Sequence, residues 1–343
     1  MCDINRLTAD MSQIGRLRRL MDMHPRDHRK QETSQMTQAR EFESLRPLLF
    51  SIAYRIVGSV TEAEDAVQET WLRYTSSTVR PESLKSYLSA VVARISIDVL
   101  RSARVRRETY VGPWFPEPLP TETRSADPYD DPARAAELAD SVSMASLLLL
   151  ERLSPLERAV FVLREVFEFD FNEIAVAVGR SEPACRQLAS RARGHMRQGR
   201  PRFEADRRKR TELADRFFDA LRGGDLDRLR ELLTADVVTI NDGGGKAGGQ
   251  GGLFGAAKAA RILVATVPPL LATGATIERL ELNGEPGAVL RDRDDNVIGV
   301  WTLEILDGQV QTIRSVTNPD KLRHLGPVGD LRAALRPMKR DGV

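Results

Sequence analysis

Two cysteines, Cys2 and Cys185, stand in 343 residues, too few and too far apart for a disulfide framework or a zinc site. A reducing cytosol is the simplest home for such a chain, and neither a metal nor a cofactor is implied. Histidine is equally scarce: His24, His28, His195 and His324 are the whole supply. No run of about eighteen apolar residues exists, and the N-terminus lacks the apolar core of a signal peptide. The longest apolar piece, MASLLLLERL, is broken by charge and reads as a core helix. With 41% hydrophobic residues there is still enough apolar material for real cores, and the length predicts two or three domains. Residues 1–38 are polar and read as a flexible extension.

A phosphate loop is also missing, although INDGGGKAGGQGG at 240–252 invites one. That pattern needs a Gly five places before the Gly-Lys pair and a Ser or Thr after it, to wrap the phosphates and hold Mg²⁺. Ile240 and Ala247 occupy those places, so the spacing rejects it.

What the chain does have is segregated charge. Its formal net charge is only +2, yet residues 180–210 carry eleven Arg or Lys against Glu182, Glu204 and Asp206. Such a tract predicts a surface that faces a polyanion. Residues 117–140 carry seven acids against Arg124 and Arg134, with Pro118, Pro120, Pro128 and Pro132 among them. These residues close the segment 111–140, which is expected to be an extended, self-avoiding linker between domains.

Helical periodicity dominates on both sides of that linker. FESLRPLLFSIAYRIVGS reads as an amphipathic helix ending at Gly58. In TEAEDAVQETWLRY, Thr61 and Glu64 suggest a capping box, and Ala63, Ala66, Val67, Trp71 and Tyr74 fall on one stripe. Asp65, Gln68, Glu69 and Arg73 are left on the other faces. A short polar loop, Ser76, Ser77, Thr78, Val79 and Arg80, leads to a long helix from about Ser83 that displays Arg94, Asp98, Arg101, Arg104, Arg106 and Arg107. A helix this rich in arginine suits either phosphates or plain solvent.

Beyond the linker, Ser154, Pro155 and Glu157 form a capping box with proline at the first helical position. A short helix, about Phe171 to Val178, should stop at Gly179, and Ser181 should cap the next. There Cys185, Leu188, Ala189, Ala192 and Met196 face inward, while Arg186, Gln187, Ser190, Arg193 and Arg197 face out. Two short helices about a Gly turn, the second exposing Arg and Gln, match a helix-turn-helix. Arg and Gln suit bidentate contacts to guanine and adenine edges.

Taken together, these two blocks resemble regions 2 and 4 of a sigma-70-type factor of the extracytoplasmic-function group, over roughly residues 39–200. The resemblance implies that Asp65, Gln68, Glu69 and Arg73 contact the polymerase clamp. It implies that Ser76, Ser77, Thr78 and Arg80 help capture an unstacked −10 base, with Arg94, Asp98 and Arg101 bordering the −10 duplex. Ser181, Arg186, Gln187, Ser190, Arg191 and Arg193 would read or grip the −35 element. Many members carry Asn where this chain has Arg94, so −10 preference is expected to differ.

After Arg210 the pattern changes again. ELADRFFDALRGGDLDRLRELL predicts two helices with Asp225 as a cap, and β-branched runs follow at DVVTI, ATIERLEL, GAVLR, NVIGVWTLEIL and QVQTIRSV. Asp307-Gly308 marks a hairpin between the last two. This α+β plan over 201–322, ahead of a tail at 323–343, resembles the SnoaL-like cone-shaped domain fused to the SigJ-like subgroup of these sigma factors. That subgroup carries DGGGK and NPDKL, here Asp242, Gly243, Gly244, Gly245 and Lys246, and Asn318, Pro319, Asp320, Lys321 and Leu322. The linker piece VGPWFPEPLP at Val111 to Pro120 fits it too. The resemblance implies a multidomain, non-enzymatic factor: two all-α sigma domains plus an α+β domain that adjusts activity. Its partners would be core RNA polymerase and promoter DNA, not a membrane. A small ligand or separate regulator at the C-terminal domain stays open.

Two other readings remain. A SnoaL-like cup can be an enzyme, for which Asp236 or Asp292 could supply an acid or base, although neither has a paired partner in the sequence. A stand-alone helix-turn-helix regulator would bind duplex DNA without polymerase, and would leave the helix near Glu62 to Tyr74 without a purpose.

Overall fold

The computed structural model describes residues 25–79, 81–121, 143–198, 206–246 and 252–335. Two compact units divide the chain, residues 1–49 and 50–343. Helix α1 is Pro25–Val57, so the described part of the N-terminal extension is helical. Gly58, at φ 76°, ends it by donating its N–H to the Tyr54 carbonyl at 2.8 Å, a conformation that costs glycine least.

Helices α2 (Val60–Ser76) and α3 (Leu84–Glu108) pack on one another. The cap of α2 is Ser59, not Thr61: the Ser59 hydroxyl accepts from the Glu62 amide at 3.1 Å. Both serine and threonine begin a capping pattern here, and Ser59 prevails because its hydroxyl also donates to the buried Glu117 carboxylate at 2.8 Å. Ala63, Ala66, Val67 and Tyr74 are buried as the periodicity predicts, joined by Thr70, whereas Trp71 is only half-buried.

The second helical block begins with α4 (Met144–Leu150) and α5 (Pro155–Phe161). The predicted capping box forms at Ser154 and Glu157, worth on the order of 1 kcal/mol. A wide π-turn, Val162–Val166, follows, closed by the Phe167 amide on the Val162 carbonyl at 3.2 Å. Then come α6 (Phe171–Val178), ended by Gly179 in the left-handed region, and α7 (Glu182–Gln198).

In the C-terminal domain α8 (Arg207–Gly223) and α9 (Leu226–Leu232) precede β1 (Leu233–Asp242) and β2 (Leu253–Phe254). Helix α10 (Ala256–Ala272) leads to β3 (Thr276–Leu282), β4 (Glu285–Arg291), β5 (Val297–Leu306) and β6 (Gln309–Val316). The order is β2-β1-β6-β5-β4-β3. The sheet is mixed: β1 pairs parallel to β6, and the other neighbours are antiparallel. That pairing follows from the chain leaving β1 for one edge and returning through α10 to build the sheet from the other.

Side chains alternate across the sheet. Ile277, Ala288, Leu290, Leu303 and Ile313 meet Phe217, Phe218, Leu229 and Leu263 of the helices. On the other face Leu282, Val289, Val300 and Val316 meet Phe115 and Met144, which belong to the linker and to α4. The sheet is therefore covered twice, once by its own helices and once by the rest of the protein.

Candidate nucleic-acid and polymerase interfaces

The linker organises the site region, and after its exposed start at Val111 and Gly112 it turns inward rather than staying solvated. Phe115, Pro116, Glu117 and Pro118 are buried; residues 122–142 lie outside the described residues. The acid count suggested solvent, but Glu117 finds enough donors to be buried. Its carboxylate accepts from Ser59 Oγ at 2.8 Å, the Val60 amide at 2.8 Å and the Thr61 amide at 3.3 Å. Three donors and the positive end of α2 compensate the lost hydration. Farther along, the Asn283 amide donates to the Leu119 carbonyl at 2.7 Å and the Thr121 amide to the Glu281 carbonyl at 2.9 Å. The linker thus covers the β3 edge, which would otherwise expose unpaired backbone groups.

A second knot joins the linker to the DGGGK and NPDKL segments. Asp242, fully buried, accepts from the Phe115 amide at 2.8 Å, from Lys321 Nζ at 2.7 Å and from the Tyr110 hydroxyl. Burial and the neighbouring Asp242 carboxylate push the Tyr110 hydroxyl above its ordinary pKa. Lys321 Nζ also donates to the Phe115 carbonyl and lies 4.1 Å from the Trp114 ring centroid and 4.9 Å from that of Tyr110. Asn318 donates to the Tyr110 hydroxyl at 2.8 Å, and its own amide donates to the Asp242 carbonyl at 3.0 Å. Lys246 pairs with Asp320, holding that carboxyl below the usual range.

This arrangement explains the glycines that are described. Gly244 sits at φ 55° against Tyr110 and Asn318, where a Cβ would come within 3.0 Å of the Tyr110 hydroxyl and collide with the Asn318 amide. Gly245 lies at φ 72° on Val111. Gly243 opens the turn, with its carbonyl accepting from the Lys246 amide at 2.9 Å. The rest of the glycine tract, 247–251, lies outside the described residues. Pro319 begins a short 3-10 turn, and Leu322 is buried on the linker side of the sheet.

The predicted polymerase-facing residues lie together on α2. Asp65, Gln68 and Arg73 are exposed, Glu69 is half-buried and pairs with Arg73 at 2.8 Å, and Leu72 adds an exposed apolar group. At the end of α2, Ser76 and Thr78 are exposed and Ser77 is the C-cap; Arg80 lies outside the described residues. Asp98 and Arg101 are exposed on α3 and pair with each other at 3.1 Å.

Arg94 is different, for it reaches into the second helical block. It donates to the Val176 carbonyl at 2.7 Å and the Ala177 carbonyl at 3.4 Å, capping the negative end of α6. Nearby, Ser86 Oγ donates to Glu173 at 2.6 Å, and Lys85 lies 5.9 Å from the Phe169 ring centroid. The buried Ser89 hydroxyl has no protein partner and borders a cavity of about 10 Å³, the room of a single water. Arg158, 1% exposed, adds a further tie by donating to the Arg55 carbonyl at 2.8 Å and pairing with Glu151. Burial lowers the Arg55 guanidinium to about 10.

On α7, Arg186, Gln187, Ser190 and Arg191 are exposed and Arg193 half-exposed, while Cys185, Ala189 and Ala192 are buried. Ser181 caps the helix by accepting from the Ala184 amide at 3.4 Å. Sequence reasoning overlooked Tyr110, Glu117, Arg158 and Asn283. The one available signal was the pair Trp114 and Phe115, two aromatic side chains in an otherwise acidic, proline-rich stretch.

Two helical reader blocks, a polar face on α2 and a fused cone-shaped domain define a sigma-70-type transcription factor. Residues 42–106 match the Sigma-70 region 2 model and residues 144–196 match the Sigma-70, region 4 model. The ECF RNA polymerase sigma factor SigJ of Mycobacterium tuberculosis is 38% identical over 82% of this chain and 92% of its own length. The ECF RNA polymerase sigma factor SigG of the same organism is 30% identical over 85% of this chain and 84% of its own. The crystal structure of M. tuberculosis SigJ superposes with a TM-score of 0.63 at 34% identity, covering 83% of this chain and 98% of that one. The chain belongs to the extracytoplasmic-function RNA polymerase sigma factors. Among the described residues, no helix is long and apolar enough to cross a membrane.

Proposed function

We propose that this sigma factor docks on core polymerase through Asp65, Gln68, Glu69 and Arg73. It opens the −10 element with Ser76 to Arg80 beside Arg94, Asp98 and Arg101. The −35 element is gripped by Ser181, Arg186, Gln187, Ser190, Arg191 and Arg193. The work is cytoplasmic, where polymerase and promoter are found. The C-terminal domain sets the activity, through the linker, by holding regions 2 and 4 against each other.

The observation that carries the regulatory part is the position of Arg94. A −10 duplex bordering α3 and the carbonyl end of α6 compete for the same guanidinium. Promoter engagement then requires regions 2 and 4 to part, and the linker, tied by Glu117 to α2 and by Asp242 to the C-terminal domain, resists that parting. A catalytic role is disfavoured for two reasons. Phe217, Phe218, Leu229 and Leu263 fill the space between sheet and helices. Asp292 is spent on a turn, accepting from the Asp294 and Asn296 amides at 2.9 Å each, and Asp236 is exposed on β1.

Run-off transcription by purified core polymerase tests this, comparing the full chain with one ended near Asp206. Defined start sites that need the protein, and a yield changed by truncation, are the expected result. Absence of both overturns it.

A further inference from the structure

Residue Arg186, the foremost candidate reader of the −35 element, is held by a group outside its own helix. Its guanidinium carbon lies 4.5 Å from the centroid of the Phe171 ring, the first residue of α6. The same ring takes a second guanidinium, that of Arg164 in the π-turn, at 5.0 Å. Arg164 is itself fixed, donating to the Phe169 carbonyl at 2.9 Å and pairing with Asp170 at 3.5 Å. Phe171 is half-buried, so its ring is partly packed while still in reach of both arginines.

Two acidic side chains also reach the arginines of α7. Glu182 pairs with Arg186 at 3.2 Å across one helical turn, and Glu165 pairs with Arg193 at 3.8 Å. Both pairs are exposed to solvent, with side chains 30–60% accessible, and such pairs contribute little. Both also use the edge of the guanidinium, where its N–H donors lie. A guanine edge needs those same donors for its O6 and N7 acceptors, and DNA must displace either carboxylate. The ring contact, 4.5 Å from the guanidinium carbon to the centroid, acts on the cation's charge and requires none of those donors. Phe171 can therefore hold Arg186 before and during base contact, which neither acid can do.

We infer that Phe171 is a positioning residue for promoter discrimination, orienting Arg186 toward a −35 base edge through ring stacking. This rests on the reading of α7 as the −35 recognition helix. The test uses holoenzyme assembled with the full chain and a promoter set carrying each base at every −35 position, with core affinity and thermal unfolding measured alongside.

Arg186→Ala is expected to flatten discrimination at a particular base position. Phe171→Leu, which keeps apolar volume and removes the ring, should weaken discrimination at that same position by about two- to fivefold, the scale of a solvent-accessible cation–π contact. Phe171→Trp should preserve it, and Phe171→Leu added to Arg186→Ala should change nothing further. An unchanged preference in Phe171→Leu, or an equal loss on every promoter of the set, overturns the inference. A loss of preference in Phe171→Trp as large as in Phe171→Leu does so as well. If Arg186→Ala itself leaves base preference intact, the recognition-helix reading fails first, and that outcome is distinct from the others.

Discussion

Asn283 donates its side-chain amide to the Tyr54 hydroxyl at 2.7 Å, and that hydroxyl donates in turn to the Glu117 carbonyl at 2.6 Å. One buried phenol thus joins the C-terminal domain, the first sigma helix and the linker. Desolvation raises its pKa well above the ordinary tyrosine value, so it stays protonated and keeps donating. Tyr54→Phe leaves the Asn283 amide and the Glu117 carbonyl without this partner, at a cost of about 1–3 kcal/mol. Urea unfolding should record that loss. Promoter output should shift in the same direction as it does on removing the C-terminal domain.

A larger effect is expected at Asp242. Asp242→Asn keeps the size of the side chain but leaves the Lys321 ammonium, 7% exposed, beside a neutral amide. Breaking a buried pair from one side costs about 3–5 kcal/mol, and neutralising both partners recovers much of it. Comparing Asp242→Asn with Asp242→Asn/Lys321→Met by urea unfolding separates the lost pair from lost shape. Equal instability of the two variants would show that the charge pairing is immaterial.

On α2 the prediction reverses, with binding affected and stability spared. Asp65 is exposed, and the Glu69–Arg73 pair, with side chains 44–51% accessible, is worth under about 1 kcal/mol. Asp65→Ala/Glu69→Ala should unfold within about 1 kcal/mol of the parent and bind core polymerase at least about tenfold more weakly. Unaltered core affinity in a titration would remove these residues from the polymerase interface.

Glu285 supplies a pH dependence. It is 1% exposed, accepts weakly from the Ala145 amide of α4 at 3.4 Å, and has Arg314 4.0 Å away, with Glu304 and Arg210 also acting on it. Burial outweighs Arg314 and lifts its pKa from the usual 4.5 to about 7. The folded chain therefore holds this proton more tightly than the unfolded one. Its contribution is full below the unfolded value and is lost as pH rises toward about 7, by roughly 2–4 kcal/mol. Glu285→Gln should flatten the fall in unfolding free energy between about pH 5 and pH 7.5. A slope unchanged by the substitution would place the titration elsewhere.

The parts visible in the sequence were those written in local code. Ser154 to Glu157 carries its own cap, Phe171 to Val178 ends on its own glycine, and Asp307-Gly308 turns at φ 51° and 73°. Exposure on α7 followed the 3.6-residue period almost residue for residue. Helix α10 was not legible, because Pro268 and Pro269 lie inside it and read as a break. Burial of Ala259, Leu263, Val267 and Leu270 overrides that local cost. Glu117 was misread for a related reason. An acid beside prolines looks solvated until the donors of Ser59, Val60 and Thr61, remote in the chain, are brought to it. Arg94, which the resemblance set beside the −10 duplex, likewise needed the end of a distant helix to show its partner.

The carboxylate of Glu117 completes the first turn of α2 from outside, a service usually performed by a neighbour in sequence. The first amides of α2 are therefore paired only while the linker is seated. Amide exchange at Val60 and Thr61 becomes a spectator's gauge of the whole assembly, quiet when the linker is home and fast when it leaves, with no label attached.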